Sequence, residues 1–122
     1  MRISGGILGI AATAVLLGAL NVHAATMQSF GRCLKSRGAV FYGASWCPHC
    51  RSQSELLGDA MTYVRYVECA VDGSREAAPA CRKAGIDGYP TWTFADGSRE
   101  SGEQSLAKLA AKTDCELPKS AR

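Results

Sequence analysis

Cys47 and Cys50 stand two residues apart in "YGASWCPHCRSQ" (residues 42–53), where an apolar run meets a proline able to open a helix. Upstream, "AVFYG" (39–43) has the length of a buried strand. Downstream, Pro48 is preset for a first helical turn and starts a helix through about Met61. Ahead of the strand, Met27, Phe30 and Leu34 recur at helical spacing, and Gly38 closes that short amphipathic helix. "YVRYVEC" (63–69) alternates as a strand, and "REAAPACRKAG" is helical in part, with Pro79 near its start. "TWTFADGSRES" makes two short strands around the turn signal Asp96-Gly97. Leu106, Leu109 and Ala110 share one face of a last helix. The order is a helix followed by β-α-β-α-β-β-α. It predicts an α/β fold with a four-stranded mixed sheet, because β-α-β units run parallel and a hairpin adds an antiparallel edge.

What the cysteine pair does depends on where the chain resides. Met1-Arg2 is followed by "ISGGILGIAATAVLLGAL", which carries no charge, and then by "NVHA". One cation, an apolar stretch and small residues at Val22 and Ala24 match the plan of a secretory signal peptide. The most apolar part, Ile7 to Leu20, falls short of the ~20 residues of a membrane-spanning helix. Cleavage is expected after Ala24, with Ala25 as the alternative, and His23 leaves with the signal. Residues 25–122 then form a single domain in the periplasm or outside the cell. Removing Arg2 from the 14 basic residues leaves 13 against 11 acidic ones, too weak and dispersed an excess for a nucleic-acid binder. All six cysteines remain, and an even number in a small exported chain reads as disulfides. Parity alone leaves 15 pairings open.

A cysteine at a helix N-terminus faces unpaired amides and the positive end of the helix dipole. Such settings lower a cysteine pKa from about 8.5 towards roughly 3.5–7.5 and make the corresponding disulfide more oxidising. Cys47 has this place, and Cys50 lies one turn inside the helix as the shielded partner. His49 can donate a hydrogen bond or carry a proton, and Pro48 offers no competing amide. Two thiolates and an imidazole would also suit zinc by ligand type. No second close Cys or His pair completes a tetrahedral set, however, so no metal is expected. Haem attachment is excluded as well, since Arg51 follows Cys50 where C-x-x-C-H needs histidine. In "GIDGYPTW" (85–92), Pro90 opens a strand after Gly88-Tyr89, at the distance where thioredoxin-fold proteins, which this order of elements resembles, place a cis proline facing the cysteine pair. The Tyr89 backbone would then be free to pair with a substrate chain, with Trp46 beside it.

These segments resemble a known family. "FYGASWCPHCRSQSELLGDA", "YVECAVDGSREAAPAC", "AGIDGYPTW" and "SGEQSLAKLA" are similar, in that order, to the thioredoxin-like domain of bacterial vitamin K epoxide reductase homologues. The resemblance covers about residues 28–112, and the Pro-His dipeptide is shared with DsbA-type oxidases. It implies a thioredoxin-like fold and a thiol–disulfide oxidoreductase with no cofactor of its own. Cys47 would be the exposed nucleophile, Cys50 the resolving thiol and Pro90 the cis proline. The implied partners are cysteine-containing exported proteins and a membrane epoxide reductase-like or other quinone-linked enzyme that reoxidises the pair. A periplasmic reductase or isomerase is the alternative.

The chain departs from the thioredoxin pattern at one place. Cytosolic thioredoxins carry a buried acid six residues before the first active cysteine; here that residue is Phe41, so no carboxylate relays protons from there. The other cysteines are expected to be structural. The family has a second pair matching Cys69 and Cys81, which here bracket 11 residues of low apolar content that a bridge would hold. Cys33 and Cys115 are left by elimination. Nothing in their spacing proves that they meet, and free thiols or an intermolecular link through Cys115 stay open.

Overall fold

The computed structural model describes residues 24–122 continuously, together with positions 1, 2, 5, 6, 9, 11, 13, 14 and 18. Most of the expected signal segment, His23 included, lies outside the described residues. Among the described residues no helix is long and apolar enough to cross a membrane.

Helix α1 (Met27–Ser36) begins at a capping box, in which Thr26 and Ser29 each satisfy the other's backbone amide. Its apolar face buries Phe30 and Leu34. Gly31 lies so close to the Ala60 carbonyl that no Cβ would fit, which lets α1 settle on the turn at 58–62. Strand β1 (Val40–Gly43) follows, then α2 (Pro48–Leu57), with Pro48 in the first turn. Helix α2 stops four residues before the expected Met61. Gly58 takes φ +52°, and the chain continues as a 3-10 turn through Thr62.

Strand β2 (Arg65–Glu68) is shorter than the sequence suggested and does not alternate. It is an edge strand whose first two residues are exposed, and Val64, ahead of it, turns into the core. Helix α3 (Pro79–Lys83) is brief and starts at Pro79. Strands β3 (Thr91–Thr93) and β4 (Arg99–Ser101) form the hairpin. Its loop is one residue longer than a two-residue Asp-Gly turn. Phe94 and Ser98 are bonded across Ala95, Asp96 and Gly97, with Gly97 at φ +82°. Helix α4 (Leu106–Thr113) is capped by Ser105 and buries Leu106 and Leu109.

The sheet runs β2-β1-β3-β4, with β1 parallel to β2 and antiparallel to β3. This is the α/β thioredoxin-like fold. Phe30, Leu34, Phe41, Leu57, Trp92 and Leu109 are fully buried in one core. A polar strut crosses that core. The Gln53 side chain, on α2, accepts from the Trp92 indole (3.1 Å) and the Gln104 amide (2.7 Å), and it donates to the Gln104 carbonyl (3.1 Å). A buried amide with these bonds made fixes α2 against β3, since leaving any of them unmade would cost about 1–3 kcal/mol.

Two disulfides are present. Cys33–Cys115 ties α1 to the C-terminal segment, whose Cys115 and Leu117 are buried in the main core. Cys69–Cys81 joins the end of β2 to α3 and centres a smaller apolar cluster with Ile86. In the chain-entropy account, the 82-residue separation of the first stabilises by about 4–5 kcal/mol and the 12-residue separation of the second by about 3 kcal/mol. Urea unfolding of the two paired Cys→Ala variants is expected to show the greater loss for Cys33/Cys115, by about 1 kcal/mol or more. Equal losses, or the reverse order, would contradict a chain-entropy origin.

Candidate active site

The chain leaves β1 at Gly43 and turns through Ala44, Ser45 and Trp46 into α2. The Ala44 carbonyl accepts from the Cys47 amide (3.0 Å), which places Cys47 at the N-cap of a ten-residue helix. Its side chain makes no capping bond. The thiol therefore stands at the positive end of the helix without being tied to the helix's own amides. It contacts the Tyr89 carbonyl oxygen at 3.7 Å, across 42 residues of chain. The Tyr89–Pro90 peptide is cis, and Pro90 is buried. Trp46 is 65% exposed and sits edge-on to the Tyr89 ring, with centroids 6.0 Å apart. A cleft of about 360 Å³ runs beside this pair, walled on the far side by Val71, Arg75 and Glu76 of the loop that the Cys69–Cys81 bridge closes.

The sequence placed Cys47 at the surface and Cys50 beneath it. The structure corrects the first half: Cys47 is 5% exposed and Cys50 3%, because the Cys47 thiol lies against the Tyr89 backbone. The two thiols differ in their neighbours more than in their exposure. Both are unbridged here, so the structure shows the reduced pair. The Cys50 thiol is pushed up to about 12, by burial first. The neighbouring Cys47 thiol and the Glu68 charge add to the shift, and a backbone hydrogen bond at Ala44 opposes it. His49 is exposed on the helix, and among the described residues its imidazole has no hydrogen-bond partner. Pro48 is exposed as well and serves the helix start.

Phe41 fills its place with carbon. It stacks on Trp92 (5.0 Å, 18°) and meets Tyr66 edge-on (5.0 Å). A carboxylate whose charge acts on Cys50 comes instead from the end of β2. Glu68, last in β2, pairs with Gly43 and accepts from the Ser45 amide (2.8 Å) and the Tyr66 hydroxyl (2.9 Å). Partial burial, then Glu68, holds the Tyr66 hydroxyl protonated above its usual range. The available signal was positional: an acid ending the strand parallel to β1 must emerge beside the cysteine loop. Among the described residues no three His, Cys, Asp or Glu side chains gather as a metal-holding group.

No family model matches the chain. It is 44% identical over 88 residues to the thiol-disulfide oxidoreductase LTO1 of Arabidopsis thaliana, a match covering 69% of this chain. The chain spans only 23% of the length of that relative. Among solved structures, thioredoxin of Fasciola hepatica aligns over 68% of this chain and 88% of its own length, at 23% identity and a TM-score of 0.43.

Because the folded pKa of Cys50 is raised, the fold favours its neutral thiol. That contribution to stability is complete below the ordinary value of 9.0 and is lost as pH rises towards about 12. Thermal unfolding of the reduced protein, followed from pH 8 to 11, is expected to lose stability more steeply than the reduced Cys50→Ala variant. Parallel curves over that range would contradict the assignment.

Proposed function

We propose that this protein is an exported thiol–disulfide oxidoreductase that passes oxidising equivalents to the cysteines of exported proteins. One observation carries the reading. A cysteine thiol at a helix N-terminus lies against the backbone of a chain segment that an exposed Trp46 flanks, with a second thiol one turn behind. The identity shared with a protein named as a thiol-disulfide oxidoreductase supports the same class of chemistry.

In the oxidised protein, a substrate thiolate attacks Cys47 of the Cys47–Cys50 disulfide. The bond breaks, and Cys50 leaves as the thiolate and takes up a proton. A second substrate thiolate then attacks the mixed disulfide at the substrate's own sulfur and releases Cys47. The substrate gains a disulfide, and the pair is left reduced. Trp46 and the Tyr89 backbone hold the incoming chain, in the manner of an added strand. His49, exposed one residue from Pro48, is placed to exchange protons with solvent. The oxidising direction is supported by the signal-like leader and by the resemblance of residues 28–112 to domains that work beside quinone-linked membrane enzymes. In this reading such an enzyme reoxidises Cys47 and Cys50, and cleavage after Ala24 or Ala25 delivers the domain to the periplasm or the exterior.

Substitution of each cysteine tests the roles. Cys47→Ala is expected to abolish exchange with reduced or oxidised protein substrates. Cys50→Ala is expected to accumulate mixed disulfides with exported proteins, released by reductant and visible on non-reducing gels. Trapping by Cys47→Ala alone would reverse the two roles. Full activity in both variants would remove the redox reading, and stoichiometric zinc binding by the reduced protein would favour a metal-holding one.

A further inference from the structure

Cys50 must lose a proton whenever it attacks a mixed disulfide at Cys47, and must regain one whenever it leaves. Strand β1 offers nothing for this, since Phe41 is apolar and packed between Trp92 and Tyr66. Strand β2 does. Its register sets Glu68 opposite Gly43, at the root of the loop that carries Ser45. Both carboxylate oxygens are held, one by the Ser45 amide and the other by the Tyr66 hydroxyl. A cleft of about 320 Å³ reaches the otherwise buried Cys50, and its walls include Ser45, Arg51, Glu55 and Tyr66. That volume admits water, and the walls offer polar partners for it. Tyr66 thus belongs both to the cleft and to the anchor of the carboxylate.

We propose that Glu68, which stands behind the cleft wall and is bonded to two of its residues, Ser45 and Tyr66, accepts the Cys50 proton through water in this cleft. The proposal rests on the exchange reading above and adds a residue to it. In the resolving step, the Cys50 proton passes by way of water in the cleft to the Glu68 carboxylate. The Cys50 electron pair attacks Cys47 Sγ, the Cys47–Cys50 bond forms, and the bond from Cys47 to the substrate sulfur breaks. The substrate sulfur leaves as the thiolate. The substrate is reduced, the pair is oxidised, and Glu68 returns the proton to solvent. In the opposite direction Cys50 leaves and takes its proton along the same path. A negative charge beside Cys50 disfavours its thiolate, so the benefit of Glu68 is to rate. The other charged or titratable groups facing the pair are Cys47, Arg51 and Glu55 from α2 and Tyr66 from β2.

Stopped-flow fluorescence of Trp46, with reduced full-chain protein mixed into excess disulfide-bonded peptide, separates the steps. Formation of the mixed disulfide depends on peptide concentration, and resolution by Cys50 does not. With Glu68 as acceptor, the resolution rate is expected to change little between pH 6 and 8. Hydroxide acting alone would instead give about a tenfold rise per pH unit. Glu68→Gln keeps an acceptor for Ser45 and a partner for Tyr66. It is expected to slow resolution at pH 7 by at least about tenfold and to restore the rise. A wild-type rate that climbs tenfold per unit overturns the proposal, whether or not the variant folds. So does a variant with the wild-type profile, or one slowed equally at every pH, which would mark Glu68 as structural. If the wild type shows exchange but no plateau, only the role of Glu68 fails. If it shows no exchange, the underlying reading fails too.

Discussion

The antiparallel register of β1 and β3, which sets Tyr42 opposite Thr91, decides where everything else in the site falls. The two strands run in opposite directions, so the residues just after β1 meet those just before β3. Residues 44–47 therefore come to lie beside residues 88–90, and the Cys47 thiol reaches the Tyr89 carbonyl without any long side chain spanning the gap. The parallel pairing of β1 with β2 adds a third segment at the same edge, because Gly43 faces Glu68. Three stretches distant in sequence thus converge on one end of a four-stranded sheet. Ligand and reaction sites gather at strand ends in open α/β folds for the same topological reason.

Holding that edge in place falls to interactions that are themselves far from the thiols. The Gln53 strut ties the second turn of α2 to β3 and to the segment entering α4, so the helix that carries both cysteines cannot slide along the sheet without breaking buried hydrogen bonds. The disulfides act on the periphery. Cys33–Cys115 joins the two ends of the described domain, and Cys69–Cys81 restrains the loop that walls the cleft beside Trp46. In a domain of this size the core buries a limited area, and covalent ties offset part of the conformational entropy.

Local chemistry made much of this legible in the sequence. The apolar run before Cys47, Pro48 at a helix start and Gly97 in a turn are signals that neighbouring residues supply, and each element stands where they point. Gly58 ends α2 early because its positive φ relieves the chain into a 3-10 turn, a choice that the packing of α1 against residues 58–62 rewards. The β2 pattern misleads because Arg65 and Tyr66 are both exposed at the sheet edge, while Val64 ahead of the strand turns into the core. The burial of Cys47, the strut at Gln53 and the approach of Glu68 to Cys50 all depend on cross-strand register, which no local run of residues encodes.

In the proposed function the Cys47–Cys50 couple cycles in the oxidising direction while the other two disulfides stay closed. Equilibration of the purified protein in thiol–disulfide buffers, with alkylation and peptide mapping at each point, measures that couple directly. A single two-electron transition confined to Cys47 and Cys50 is expected, with a potential nearer the about −120 mV of DsbA than the about −270 mV of thioredoxin. A transition at or below the thioredoxin value would contradict the proposed direction. Titration of Cys33–Cys115 or Cys69–Cys81 in its place would contradict the assignment of the redox pair itself.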